Sequence, residues 1–303
     1  MESLQHLAVQ LGVQLLPPAT ADDIHAFEAK ARFQLTDSLR ELYLTSNGLI
    51  YRPGLLEINS LARALTYIEG MRQYGIPQIR NYFPVTENND SNSFCVCCDK
   101  VMSGYVVAVY HDDVAGVKFR SLDDFFAAVG LFVTPDEWDL HELPSDMDKP
   151  ERTPTDIEIG RKLLEQAKQF DGVDRNDTLR FGMCLLSEQQ VDEIAPYLED
   201  EDYFVSRDAK ERLIAIGTPD AQRALATFEE SMQRFVTQCA DALKRAGMTP
   251  TDIQDACIRL DPGPVWLDIP AFYAIRKRES NIFDYVVERA KFFLKDKQNK
   301  DQG

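Results

Sequence analysis

The feature that most constrains this chain is a set of four short β-branched or aromatic runs, 82–85, 94–98, 105–110 and 115–119, separated by short connectors that contain polar, turn-forming stretches. The connectors include Glu87-Asn88-Asn89-Asp90-Ser91-Asn92 and His111-Asp112-Asp113. A parallel crossover needs about a dozen residues or more, so these strands are expected to pair as antiparallel hairpins.

Helical signals flank that sheet. Thr20 with Asp23 three residues on marks a helix start, and Ile24, Phe27 and Ala31 recur at helical spacing up to Phe33. A second helix fits 36–46, with Leu39, Leu42 and Tyr43 on one face, and Asn47-Gly48 is expected to end it. A short strand is expected at 55–58. Ser60 then caps a helix carrying Leu61, Leu65 and Ile68, closed by Gly75 and Pro77. Ser121 and Asp124 open a further helix with Leu122, Phe125, Phe126 and Val129 inward and Gly130 as its stop.

Residues 133–155 change character. Asp136, Glu137, Asp139, Glu142, Asp146, Asp148 and Glu151 are interspersed with Pro135, Pro144, Pro150 and Pro154, the composition of a self-repelling linker. Beyond it helical patterns dominate, at 155–170, 177–186, 187–198, 203–216, 219–246 and 250–260, before Asp261-Pro262-Gly263-Pro264 forces a break. A last helix is expected at 280–295, with Ile282, Tyr285, Val286, Arg289 and Phe293 near one face. At 303 residues the chain exceeds the usual ~100 to 200 per domain. The expected organisation is an α+β domain at 1–132, an acidic linker at 133–155 and an all-α helical domain at 156–303.

The net charge of −17 repels phosphates and anionic lipid, which excludes direct nucleic-acid and membrane binding as expectations and favours a basic protein partner. No apolar run reaches the ~20 residues of a membrane span, and the opening residues lack a basic leader with a small-residue cleavage site, so a cytoplasmic location is expected. Cys95, Cys97, Cys98, Cys184, Cys239 and Cys257 then read as reduced thiols.

Candidate sites are weighed against plain structural roles. Cys95-Val96-Cys97-Cys98 splits its thiols between two faces of a strand and has no second pair at zinc spacing, so no metal is expected. His111-Asp112-Asp113 is what a hairpin turn contains. Phosphate-loop, nucleophile-elbow, metalloprotease and calcium-loop motifs are absent from the sequence, and no catalytic residue or cofactor is expected. Partner contact is instead expected from turn aromatics and acids: Tyr51, Glu57, Asp99, Tyr105, Tyr110, Asp112, Asp113, Asp136, Glu137, Asp139, Glu199, Asp200, Glu201 and Asp202.

The ordered series Ile24-His25-Ala26-Phe27-Glu28, Phe33-Gln34-Leu35 and Ser38-Leu39-Arg40-Glu41-Leu42-Tyr43-Leu44-Thr45-Ser46-Asn47-Gly48 resembles the opening of the SUKH superfamily. Tyr82-Phe83-Pro84-Val85, Phe94 to Asp99, Tyr105 to Asp112 and Ser121-Leu122-Asp123-Asp124-Phe125-Phe126 continue that resemblance over about residues 18–132. Thr36 replaces the family's usual proline, and an Asn-rich loop replaces its glycine-rich one. The resemblance implies a curved sheet with flanking helices and a non-enzymatic bacterial immunity protein that binds and neutralises a cognate toxin, often a nuclease. A nuclease must be basic to hold phosphates, which suits an acidic inhibitor.

Residues 188–228, with a helix, the turn Glu199-Asp200-Glu201-Asp202, a second helix and Gly217-Thr218-Pro219-Asp220-Ala221, resemble a HEAT-type repeat. That likeness supports an alternative function, an interaction scaffold or regulator whose helical domain is the binding surface.

Overall fold

A computed structural model describes residues 2–49, 57–73, 79–87, 93–109, 115–132, 143–249, 251, 273 and 281–300. The chain divides into two compact units, Met1–Leu186 and Ser187–Gly303.

In the first unit α1 (Glu2–Leu11) precedes α2 (Ala21–Ala31), α3 (Asp37–Thr45) and α4 (Leu61–Gln73). Thr20 and Asp23 form a reciprocal capping box at the start of α2, and Thr36 caps α3 through its hydroxyl. Thr36 thus does by hydrogen bonding what a proline does by its fixed φ. Glu28 is buried, accepting the Leu35 amide at 2.8 Å and the Arg40 guanidinium at 2.5 Å, so the turn between α2 and α3 closes around one carboxylate.

The Asn47-Gly48 pair does more than end a helix. Ser46 is the C-cap of α3, while Asn47 Oδ1 accepts the Leu61 amide at 2.9 Å and so caps α4. Gly48 has φ +100°, and a Cβ there would lie 2.5 Å from the Ile58 carbonyl oxygen, so the close passage of two backbone segments demands glycine.

The four runs form β1 (Tyr82–Glu87), β2 (Ser93–Cys97), β3 (Val106–Val109) and β4 (Gly116–Phe119), an antiparallel sheet in the order β1-β2-β3-β4. Of the strand expected at 55–58, residues 55 and 56 lie outside the described residues and Ile58 makes a single bridge to Thr86. Side chains of directly paired residues share a face. Phe83, Val96, Phe94 and Ala108 therefore share one, where Phe83 meets Phe27 and Tyr43, both at 5.4 Å, and Phe94 stacks on Phe125 at 5.2 Å. Tyr82, Cys95, Cys97 and Val107 line the opposite face and are also buried.

Both sheet edges are stitched. Asn59 donates its amide to Val85 O and its side chain to Pro84 O beside β1; Ser145 Oγ donates to Lys118 O on β4. Such covers satisfy backbone groups that would otherwise template further strands.

α5 (Leu122–Phe132) runs past Gly130, correcting the expected stop. Gly130 is not in a left-handed conformation; a Cβ there would touch Gln10 and Leu7, so the glycine makes room for α1.

α6 (Pro154–Ala167) and α7 (Gly172–Cys184) complete this unit. Their Leu163 and Phe181, with Leu143 and Met147, belong to the same apolar core as the sheet, which is why this division places both helices, and the described part of the expected linker, in the first unit. α7 starts five residues before the expected 177, just after Phe170 turns back and with Gly172 at φ +57°.

The second unit contains α8 (Val191–Ile194), α9 (Tyr203–Ile216), α10 (Pro219–Arg245) and α11 (Ile282–Lys300). The helix expected at 187–198 is a 3-10 turn, the four-residue α8 and a second 3-10 turn, because Pro196 lacks the donor a regular helix needs there. Gly217 at φ +66° ends α9, and Thr218 with Pro219 starts α10. On α11 the buried stripe is Ile282, Val286 and Ala290; Tyr285, expected near it, is 48% exposed. Residues 252–260, expected to be helical, lie outside the described residues.

Candidate functional site

Antiparallel pairing brings the start of β1, the end of β2, the start of β3 and the end of β4 to one end of the sheet. Each contributes a polar side chain there: Arg80, Asp99, Tyr105 and Arg120. Arg80 is completely buried, donating from Nη1 to Asp99 Oδ2 at 3.2 Å and Gln166 Oε1 at 3.0 Å, and from Nη2 to Thr178 Oγ1 at 2.8 Å. Tyr105 donates its hydroxyl to Asp156 Oδ1 at 2.6 Å, and Arg120 Nε donates to Asp156 Oδ2 at 2.8 Å. Asp156 also closes the capping box with Thr153 that starts α6.

Burial alone would raise the Asp156 carboxyl, but the hydrogen bonds from Tyr105, Thr153 and Arg120 outweigh it and hold the group below the ordinary carboxylate range. Burial first, and the adjacent Asp156 second, push the Tyr105 phenol up. This end of the sheet is therefore a donor set of two guanidiniums and a phenol, answered by acceptors on α6 and α7. Two buried atoms beside it, Arg80 Nε and the Tyr82 hydroxyl, have no hydrogen-bond partner among the described residues.

The residues singled out in the sequence are dispersed. Asp99 Oδ1 accepts the amides of Val101 and Met102 at 2.6 and 2.7 Å, organising the β2–β3 turn, and Oδ2 faces Arg80. Tyr105 is buried and committed to Asp156, so its side chain offers no partner-facing surface. Glu57 pairs with Arg63 at 2.6 Å. In the second unit Glu199 accepts from Tyr273 at 2.9 Å, Asp200 accepts the Asp202 amide at 2.9 Å, and Asp202 caps α9 through the amides of Phe204 and Val205. Glu201 sits half-buried in the same turn. Tyr51, Tyr110, Asp112, Asp113, Asp136, Glu137 and Asp139 lie outside the described residues.

Cys95 and Cys97 face one way and Cys98 the other; burial pushes all three thiols up, Cys98 to about 12, which keeps them protonated near neutrality. Among the described residues no group of three His, Cys, Asp or Glu is placed to hold a metal ion, and no helix is long and apolar enough to cross a membrane.

The set around Arg80 and Asp156 was not legible in sequence, because its members are spread over about a hundred residues. Only the Thr153–Asp156 spacing carried a signal, and that signal is for a helix cap. A second feature also escaped: Tyr203 and Phe204, adjacent on α9, are 38% and 40% exposed with rings 5.5 Å apart, and the Arg207 guanidinium lies 5.1 Å from the Phe204 ring centre.

Residues 18–128 match the SMI1 / KNR4 family (SUKH-1). The matched stretch runs from just before α2 to within α5, so it contains the whole sheet, and it stops short of α6 and α7. This match does not extend into the helical region, so the HEAT-type likeness gains no support from it. No curated protein matches the chain.

Proposed function

We propose that this chain is a bacterial immunity-type protein that acts in the cytoplasm, binding a cognate basic toxin and neutralising it by direct contact, with no chemistry of its own. The observation that carries the reading is the SUKH-1 match at 18–128, folded as a four-stranded antiparallel sheet with flanking helices. The net charge of −17 supports it, since an acidic surface speeds encounter with a phosphate-binding enzyme.

The contact surface is narrowed by what the chain covers itself. Both sheet faces are buried, both edges are stitched, and one end is occupied by α6 and α7. The β1–β2 and β3–β4 connections leave from the other end, and the second of these carries Tyr110, Asp112 and Asp113. We assign the toxin contact to that end.

The test begins with recovery of partners on the tagged full chain from the source strain at rising salt. Each recovered protein is then expressed in a heterologous host with and without this chain. Relief of growth arrest, weakened by Asp112→Lys with Asp113→Lys, is the expected result; a recovered protein whose toxicity is unchanged by co-expression refutes the reading.

The scaffold alternative is favoured by one observation, the exposed Tyr203–Phe204 pair beside Arg207, a composition typical of interface hot spots. If Tyr203→Ala with Phe204→Ala abolishes partner recovery while the Asp112 and Asp113 changes do not, the helical unit is the binder.

A further inference from the structure

We propose that α11 joins two copies of this chain: its outward face pairs with the same face of a second copy, the helices running antiparallel and centred between Glu288 and Arg289. This surface lies in the second unit and is distinct from the toxin contact assigned above to the sheet.

One side of α11 is fixed to α10. Ile282, Val286 and Ala290 are buried, and Phe283 meets Phe235 of α10 at 5.7 Å. The side turned outward carries Asp284, Tyr285, Glu288, Arg289, Lys291 and Phe292, all exposed. Tyr285 and Phe292, 48% and 60% exposed, stand seven residues apart, which is close to two helical turns and places both rings on one line along the helix.

The charges beside that line are self-complementary. Asp284 and Lys291 are also seven residues apart and run along the same flank of the aromatic line, the acid toward the N-terminus and the base toward the C-terminus. A two-fold axis sets each flank against the same flank of the other copy. With that axis between Glu288 and Arg289, Tyr285 of each copy lies level with Phe292 of the other, and Lys291 of each lies between Asp284 and Glu288 of the other. At the centre, Glu288 and Arg289 from both copies meet as two carboxylates and two guanidiniums, which cancel. A parallel pair would instead set Asp284 level with Asp284 and Lys291 level with Lys291, so the charge pattern selects the antiparallel arrangement.

Lys291 already pairs with Glu288 of its own helix at 3.0 Å. Both groups are exposed, where such a pair is held weakly, and an ammonium has three donors, so Lys291 keeps Glu288 and gains Asp284 of the second copy.

Long-range charge favours the same occupant. α11 carries five basic and three acidic residues, a net +2 on a chain of net charge −17, so approach through α11 brings two acidic chains together where they repel least. A nucleic acid or an anionic lipid surface drawn to the basic helix would meet the repulsion of the whole chain. A fully covered aromatic side chain buries about 150–250 Å². The four rings, already partly covered, fall short of the ~1,200 Å² of a stable interface, which makes the pairing reversible and concentration-dependent.

The test is sedimentation velocity of the full chain at physiological salt, from low micromolar to near-millimolar concentration. A reversible monomer–dimer equilibrium is expected. Tyr285→Ser combined with Phe292→Ser should weaken it by about tenfold or more. Asp284→Lys and Lys291→Asp should each weaken it severalfold by setting like charges together, and the two combined should restore it, since the exchanged charges again face each other. The substituted side chains are exposed, and circular dichroism with a urea midpoint checks that each variant stays folded.

A chain that remains monomeric over the whole range overturns the proposal. So does a dimer that survives the loss of both rings, which another surface must then form. If each single charge reversal weakens the dimer and the double exchange does not restore it, the antiparallel pairing is refuted.

Discussion

Replacing glycine by alanine at three helical positions should change stability in a graded way that depends only on what a Cβ would meet. None of the three has a left-handed φ, so an alanine at any of them gains about 1 kcal/mol of helix propensity. At Gly70 on α4 nothing lies within 4 Å of the added Cβ, so Gly70→Ala should stabilise by close to that full amount. At Gly160 the Cβ would sit 2.8 Å from the Gly182 carbonyl oxygen and 3.0 Å from Leu186 Cδ2. The first obstacle is backbone and cannot rotate away, so α6 and α7 must move apart, at the upper end of the ~1–3 kcal/mol range for overpacking. Subtracting the propensity gain leaves Gly160→Ala destabilising by about 2 kcal/mol. Gly182→Ala falls between, because its closest obstacle, Leu164 Cδ2 at 2.7 Å, is the end of a side chain that can repack. Urea unfolding followed by circular dichroism, with hydrogen exchange of α6 and α7 to isolate the first unit, measures all three. A neutral or stabilising Gly160→Ala, or a destabilising Gly70→Ala, would refute the reasoning.

Asp156 has a depressed folded-state pKa, so its contribution is complete above the unfolded value of about 3.9 and lost as pH falls through the folded one. Acid unfolding of the first unit should therefore flatten in Asp156→Asn, as a pH series of urea midpoints will show. Gly48→Ala combines a φ of +100° with a 2.5 Å approach to Ile58 O and should cost more than about 2 kcal/mol or prevent folding, read as loss of soluble cooperative unfolding. Asn47→Ala removes the Leu61 cap and should lower stability by about 0.5–2 kcal/mol, whereas Asn47→Asp, which keeps the acceptor, should retain most of it.

Local chemistry decided much of this protein before any packing. The Thr20–Asp23 and Thr153–Asp156 boxes, the Gly217-Thr218-Pro219 junction and the four short runs between 82 and 119 each encode an element through neighbours a few residues away. Their order is enough to identify the SUKH-type stretch. Helix stops were less legible where a residue's reason is a distant contact: Gly130 yields space to α1, and Asn47 caps a helix fourteen residues on. Only the tertiary structure decided that α6 and α7 share a core with the sheet, because the acids and prolines before them carry the composition of a linker while Leu143 and Met147 within that segment are buried. It alone assembled Arg80, Tyr105, Arg120 and Asp156, since a guanidinium and the acceptors that hold it nearly a hundred residues away leave no periodic or spacing signal; burial makes them necessary to one another, and burial is a property of the folded chain.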